Sequence, residues 1–287
     1  MKDQAESLRA QLKKQHGRPA KTFAVVSGKG GVGKSNISVN MAAALAKQGS
    51  KVLLFDMDIG MGNIHVLLGL DAPYTISDFI HRGMGLSQIL CKGPDNISYI
   101  SAGNGFNEVI RMEDAAVGKL INEIEWLQYD YDYMIFDMGA GAAASSLQIM
   151  LSVDDIFVVT TPEPTAITDA YSMIKYICMQ QFDSPLYLIC NRAEKEKEGL
   201  VTLSRLRFTI KKFLGKEAEI LGVVPEDSNV KKAVLRQMPF YLEYPHTSAA
   251  KKIDALLQSY ITGYDSKRTG GVPLFVRKLR GLWQKNS

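Results

Sequence analysis

No stretch of the 287-residue chain approaches the ~18–20 consecutive apolar residues that a membrane-spanning helix needs. The N-terminal segment, MKDQAESLRAQLKKQHGR, has no apolar core of the kind a secretory leader requires, so no such signal is expected. Cysteine is scarce. Cys91, Cys178 and Cys190 form no CxxC pair and no His/Cys cluster. Three reduced, mostly buried thiols are therefore expected, and a zinc or iron–sulfur centre held within one chain is not. No segment repeats at a fixed period, which sets solenoids and propellers aside. What remains is an ordinary globular composition, 46% hydrophobic and 22% charged, at a length suited to one large α/β domain with short appendages or to two small domains.

The formal charge of +4 is unevenly placed. Residues 1–21 carry six basic and two acidic side chains, and residues 264–287 carry six and one, which leaves the 22–263 body at −5. An acidic body with basic ends argues against a broad nucleic-acid-binding face on the core and points to partners for the tails.

From residue 22 onward, short apolar runs alternate with helical patterns. Strands are expected at 22–27, 51–56, 96–100, 133–137, 155–160, 186–190 and 219–224. Their continuous hydrophobicity, without alternation, suits a parallel sheet covered on both faces. Helices are expected at 34–48, 113–128, 164–180, 199–214, 228–236 and 247–261. This order predicts an α/β fold, a doubly wound, mostly parallel sheet flanked by helices, with ligands at the carboxyl ends of the strands. The expected division is a basic N-terminal segment (1–21), one P-loop domain (22–262), and a polar linker leading to a C-terminal amphipathic helix (263–287).

The central motif is Gly28-Lys29-Gly30-Gly31-Val32-Gly33-Lys34-Ser35, which follows the first strand and opens a helix, with Asn36 next. It satisfies GxxxxGK[ST] in the context that gives the pattern its meaning. Glycines let successive backbone N–H groups turn inward around phosphate oxygens, and the helix N-terminus adds partial positive charge. Lys34 is expected on the β- and γ-phosphates and the Ser35 hydroxyl on Mg²⁺. Lys29 exceeds what a minimal loop needs. It is either a solvated loop lysine or a second phosphate contact, reached across a dimer interface as an arginine finger is.

Acidic strand ends complete the candidate site. Asp56 closes one strand and Asp137 another, and Asp58 lies in the loop just after the first. Carboxylates there are often only turn formers; beside a P-loop they hold Mg²⁺ or its waters. Asp137 is assigned to the Walker B position, Asp56 to support of the metal shell, and Asp58 to orienting the attacking water. For the base, Asn191-Arg192 and Pro225-Glu226-Asp227 follow strands at their carboxyl ends. No NKxD box is present, so a guanine pocket lacks its usual marker and adenine is preferred. The expected cofactors are ATP and Mg²⁺.

At the C-terminus, Pro273 can open a helix. Leu274, Phe275, Val276, Leu279, Leu282 and Trp283 then gather on one side, with Arg277, Lys278 and Arg280 on the other. Such a helix can lie in an anionic membrane interface or pack its apolar face on the protein core. Near the N-terminus, Ala5, Leu8 and Leu12 share one face of a short helix that is marginal on its own.

Together SGKGGVGKS, FDMDIGMGN, FDMGAGA, TTPEP and VPED resemble, in order and spacing over roughly 22–262, the MinD/ParA branch of deviant Walker P-loop ATPases. The form DQAxxLR (Asp3, Gln4, Ala5, Leu8, Arg9), GAGA after Asp137 and the basic amphipathic tail are similar to one group within it, the MinD-like regulators of flagellar number (FlhG, also FleN or YlxH). The resemblance implies an ATP-dependent sandwich homodimer in which Lys29 contacts the other subunit's nucleotide, with Asp58 as the hydrolytic residue. It also implies slow, partner-stimulated hydrolysis and anchoring of a cytoplasmic protein to the inner face of the membrane by the terminal helix. Stimulation of an FlhF-type signal-recognition GTPase through the N-terminal segment is implied too, as is contact with flagellar switch-ring components. The alternatives are a ParA-type DNA partition ATPase, disfavoured by the acidic body, and a MinD-type division-site regulator. An iron–sulfur carrier lacks its CxxC here, and a non-hydrolysing scaffold is disfavoured by the presence of Asp58.

Overall fold

The computed structural model describes residues 17–58, 62, 64–101, 114–139, 144–180, 183–265 and 274–284. Eight strands form one sheet in the order β3-β4-β2-β5-β1-β6-β7-β8. They are β1 (Lys21–Val26), β2 (Val52–Met57), β3 (Cys91–Lys92), β4 (Ile97–Ser101), β5 (Tyr133–Met138), β6 (Asp155–Thr160), β7 (Leu186–Ala193) and β8 (Glu219–Pro225). All pair in parallel except β3, a two-residue antiparallel edge. The seven expected strands are thus all present, and β3 is the addition.

Two apolar cores sit on the two faces of the sheet because the central strands are buried on both sides. On one face lie α1 (Lys34–Lys47), α2 (Ile64–Leu68), α9 (Ser228–Leu235), α10 (Phe240–Glu243) and α11 (Ser248–Asp265). Helix α1 is buried nearly all round, and its Ala42–Ala44 and Ala46 let it sit close between sheet and α11. On the other face lie α3 (Ile76–His81), α4 (Leu86–Ile89), α5 (Asp114–Leu127), α6 (Ala144–Ser152), α7 (Pro164–Met179) and α8 (Glu196–Leu214). Helix α11 continues to Asp265, so the first residues of the expected linker, 263–265, are helical instead.

The C-terminal amphipathic helix, α12 (Leu274–Gln284), packs on this second face against α5 and α6. Phe275, Val276 and Leu279 are buried in the core, and the Phe275 and Phe136 ring centroids are 5.3 Å apart. Trp283 is half-buried against the same cluster. Lys278 donates to Ser184 Oγ at 3.1 Å, and Arg280 reaches Asn122 Oδ1 and Glu125 Oε2, both at 2.9 Å. Of the two orientations the sequence left open for this apolar stripe, the structure has the one facing protein. In this arrangement Phe275, Val276 and Leu279 are not available to lipid. Among the described residues no helix is long and apolar enough to cross a membrane.

Candidate nucleotide site

The parallel sheet delivers its functional groups to the carboxyl ends of its central strands. Register pairs Asp56 of β2 with Asp137 of β5, and Val25 of β1 with Asp137 on its other side. Because side chains alternate along a strand, paired residues project to the same face, so Asp56 and Asp137 stand side by side. The P-loop leaves β1 one residue beyond this level.

Glycine is required within the loop at two positions for different reasons. Gly31 adopts φ +81° with open space around it, so the left-handed backbone alone excludes a side chain. Gly33, at φ +88°, is the N-cap of α1, and a methyl there would lie 2.3 Å from Asn191 Nδ2. Asn191 in turn donates to Val32 O at 2.9 Å, and Arg192 donates to Gly31 O at 2.9 Å. The residues expected to hold the base therefore also brace the phosphate loop. Asn36, Asn191, Arg192, Pro225 and Glu226 line one cleft with Val230 of α9, beside Gly33. The sequence reading missed Val230, whereas Asp227, expected beside the base, lines the same cleft as the N-cap of α9 and accepts from Asn229 N at 2.9 Å.

Lys34 Nζ donates to Asp137 Oδ1 at 2.9 Å, with both side chains buried, and lies 3.4 Å from Ser35 Oγ. Ser38, one turn further along α1, donates to the same Oδ1 at 2.7 Å. The other oxygen, Asp137 Oδ2, is buried without a hydrogen-bond partner among the described residues. Asp56 is held by its own loop: Asp58 N donates to Oδ1 at 3.1 Å and Ile64 N to Oδ2 at 3.3 Å, with Tyr99 OH at 3.5 Å. Burial first, and the neighbouring Asp137 charge second, push Asp56 up to about 6. Asp58 is folded back toward the end of β5, where a methyl on Gly139 would lie 3.4 Å from its Oδ1.

The donor set fits a hard cation bound together with phosphates. Ser35, Asp56 and Asp137 offer oxygen ligands only, and among the described residues no group of three or more His, Cys, Asp or Glu forms a cage. Mg²⁺ keeps waters and phosphate oxygens as ligands and needs only one or two carboxylates. The unpartnered Asp137 Oδ2 is the feature that calls for such a neighbour, since a buried acceptor left unsatisfied costs on the order of 1–3 kcal/mol.

Lys29 is not a free loop lysine in this state. Its Nζ contacts Glu163 Oε2 at 3.2 Å and Thr165 Oγ1 at 3.3 Å, the first residues of α7 and its N-cap. The TTPEP string contained this partner, but nothing in its spacing tied Glu163 to a lysine 134 residues away. Asp3, Gln4, Ala5, Leu8 and Arg9 lie outside the described residues. The three thiols sit apart, on β3, α7 and β7, with Cys190 buried.

Comparison with known proteins accords with this geometry. The family described as ParA, NUBPL iron-transfer P-loop NTPase, matches residues 18–261. The chain is 33% identical over 240 residues to antiactivator FleN of Pseudomonas aeruginosa, covering 84% of this chain and 86% of the relative. It is 34% identical over 239 residues to the flagellum site-determining protein YlxH of Helicobacter pylori, covering 82% and 80%. The MinD cell division protein of Aquifex aeolicus superposes with TM-score 0.66 at 26% identity, over 89% of this chain and 99% of that one. The chain belongs to the ParA/MinD family of P-loop NTPases.

Proposed function

We propose that this ATPase is a nucleotide-driven switch that controls flagellar number and placement. ATP binding assembles a homodimer across the P-loop face, and hydrolysis returns the monomer. The observation that carries the reading is the position of α12: a cationic amphipathic helix docked by its apolar face onto Phe136, the residue next to Asp137. Flagellar control is favoured over other duties of the family by the names of two relatives, FleN and YlxH.

In this scheme Lys34 exchanges Asp137 for the β- and γ-phosphates, and Lys29 exchanges Glu163 for the partner subunit's nucleotide. Neither exchange demands much. The Lys29–Glu163 pair is largely exposed, and such pairs contribute about 0–1 kcal/mol. Mg²⁺, when bound with ATP, supplies charge neutralisation at the phosphate oxygens. Ser35 and Asp137 would hold it, with Asp56 behind them. Asp58 accepts a hydrogen bond from the attacking water and orients it. Hydrolysis is slow until a partner stimulates it.

Release of α12 in the dimer exposes Phe275, Val276 and Leu279 to an anionic inner membrane face, with Arg277, Lys278 and Arg280 toward the headgroups. One helix of this length binds weakly, and two on one dimer gain by effective concentration. The N-terminal residues Asp3, Gln4, Ala5, Leu8 and Arg9 dock on an FlhF-type GTPase, and switch-ring components complete the partner set. Sedimentation with anionic liposomes tests the scheme. Intact protein should pellet more with ATP than with ADP, and less as salt rises. A truncation after Gly271 that pelleted as well as the intact chain would remove α12 as the anchor.

A further inference from the structure

The two oxygens of Asp137 are treated unequally. Oδ1 accepts from both Lys34 Nζ and Ser38 Oγ, whereas Oδ2, equally buried, accepts from no group among the described residues. A carboxylate turns readily about its terminal torsion, which is broad and roughly two-fold. Something must therefore decide which oxygen stays available.

Lys34 cannot be the constant holder, because its ammonium is the one the glycine-rich loop presents to phosphate. Ser38 has no such second duty. It is fully buried one turn beyond Lys34 on α1, away from the loop's inward N–H groups. Its hydroxyl lies 3.2 Å from Lys34 O and 2.7 Å from Asp137 Oδ1. One proton serves one of these acceptors, and the shorter contact, to the ionised one, is the stronger.

We propose that Ser38 is a positioning residue for metal binding. It pins Oδ1 throughout the nucleotide cycle, so that Oδ2 remains the free oxygen for the Mg²⁺ shell when Lys34 moves to phosphate. This rests on reading the Gly28–Ser35 loop as the Mg·ATP site. The competing role for Ser38 is purely local, a hydroxyl bonded back to its own helix at the i−4 carbonyl. The two roles differ in what they do to metal.

The test is the affinity of the full-length protein for a fluorescent ATP analogue, measured in chelator and across a Mg²⁺ titration. Ser38→Ala should bind the analogue in chelator as the parent does. The Mg²⁺ concentration that gives half of the tightening should rise by about tenfold, the lower end of what outer-shell partners of a metal contribute. In an Asp137→Asn background, Ser38→Ala should add nothing further, since it acts through that carboxylate. Equal loss with and without Mg²⁺, or a second full loss on top of Asp137→Asn, would overturn the proposal. A parent whose binding ignores Mg²⁺ would overturn the underlying site reading and this inference with it. A Mg²⁺-dependent parent with an unchanged requirement in Ser38→Ala overturns this inference alone.

Discussion

The ring of Phe275, on the last helix, lies 5.3 Å from that of Phe136, whose neighbour in the chain is the buried carboxylate paired with the P-loop lysine. The helix that bears the membrane-type stripe and the strand that ends at the phosphate site thus share one contact. Phe136 and Asp137 are consecutive on β5, so their side chains project to opposite faces of the sheet, one toward α12 and the other toward the P-loop.

Weakening that contact should loosen α12 without unfolding the domain, because α12 lies outside the sheet and its docking can open locally. Phe275→Ala removes a side chain that is 2% exposed, a change that costs about 3–5 kcal/mol in well-packed cores. Amide hydrogen exchange should show faster exchange in α12 and little change in β1 or β5. If α12 stays as protected as in the parent, the Phe275–Phe136 contact is not what holds it.

Lys34→Ala should do two separable things. ATP binding should be lost for want of the phosphate-facing charge. The free protein should also become less stable by about 3–5 kcal/mol, since the variant leaves a buried carboxylate without its partner. Lys34→Ala combined with Asp137→Asn should recover much of that stability and none of the binding. Denaturant unfolding without nucleotide, beside a binding assay, checks both. A single variant as stable as the parent would show that the pair is not coupled in the free protein.

Asp56 gives a pH dependence with a definite sign. Its folded-state value, about 6, lies above the ordinary carboxylate value, so between these two values the native state binds more protons than the unfolded one. Stability of the nucleotide-free, chelated protein therefore falls as pH rises through roughly 4 to 6, by ~3 kcal/mol attributable to this group. Asp56→Asn should flatten that interval. A variant whose stability keeps the parent's full slope there would assign the dependence to other groups.

The P-loop and the seven longer strands were legible because their signals are local: a glycine spacing in one case, uninterrupted apolar runs in the other. Helix α1 ends within a residue of its expected limit because Gly33 and the Gln48-Gly49 turn mark both ends. The helices at 64–68, 76–81, 86–89 and 240–243 are too short for a 3.6-residue period to emerge. Helix α6 was hidden by the small residues of AAASSLQIM, which show no clear polar face. Long-range pairings were out of reach for another reason. Lys29 with Glu163 and Ser38 with Asp137 are separated by 134 and 99 residues, and only the sheet order brings them together. The stripe on α12 reads the same whether it faces lipid or protein, so periodicity could not choose.

In the proposed scheme ATP, through Lys29 and Asp58, switches the oligomeric state. Light scattering of Asp58→Ala tests it most directly, because this variant should bind ATP and fail to turn it over, trapping the bound state. With ATP its mass should be twice 31.7 kDa, and with ADP it should be 31.7 kDa. Adding Lys29→Ala should abolish the larger species while nucleotide binding persists. An Asp58→Ala protein with the same mass in ADP and ATP would contradict the account.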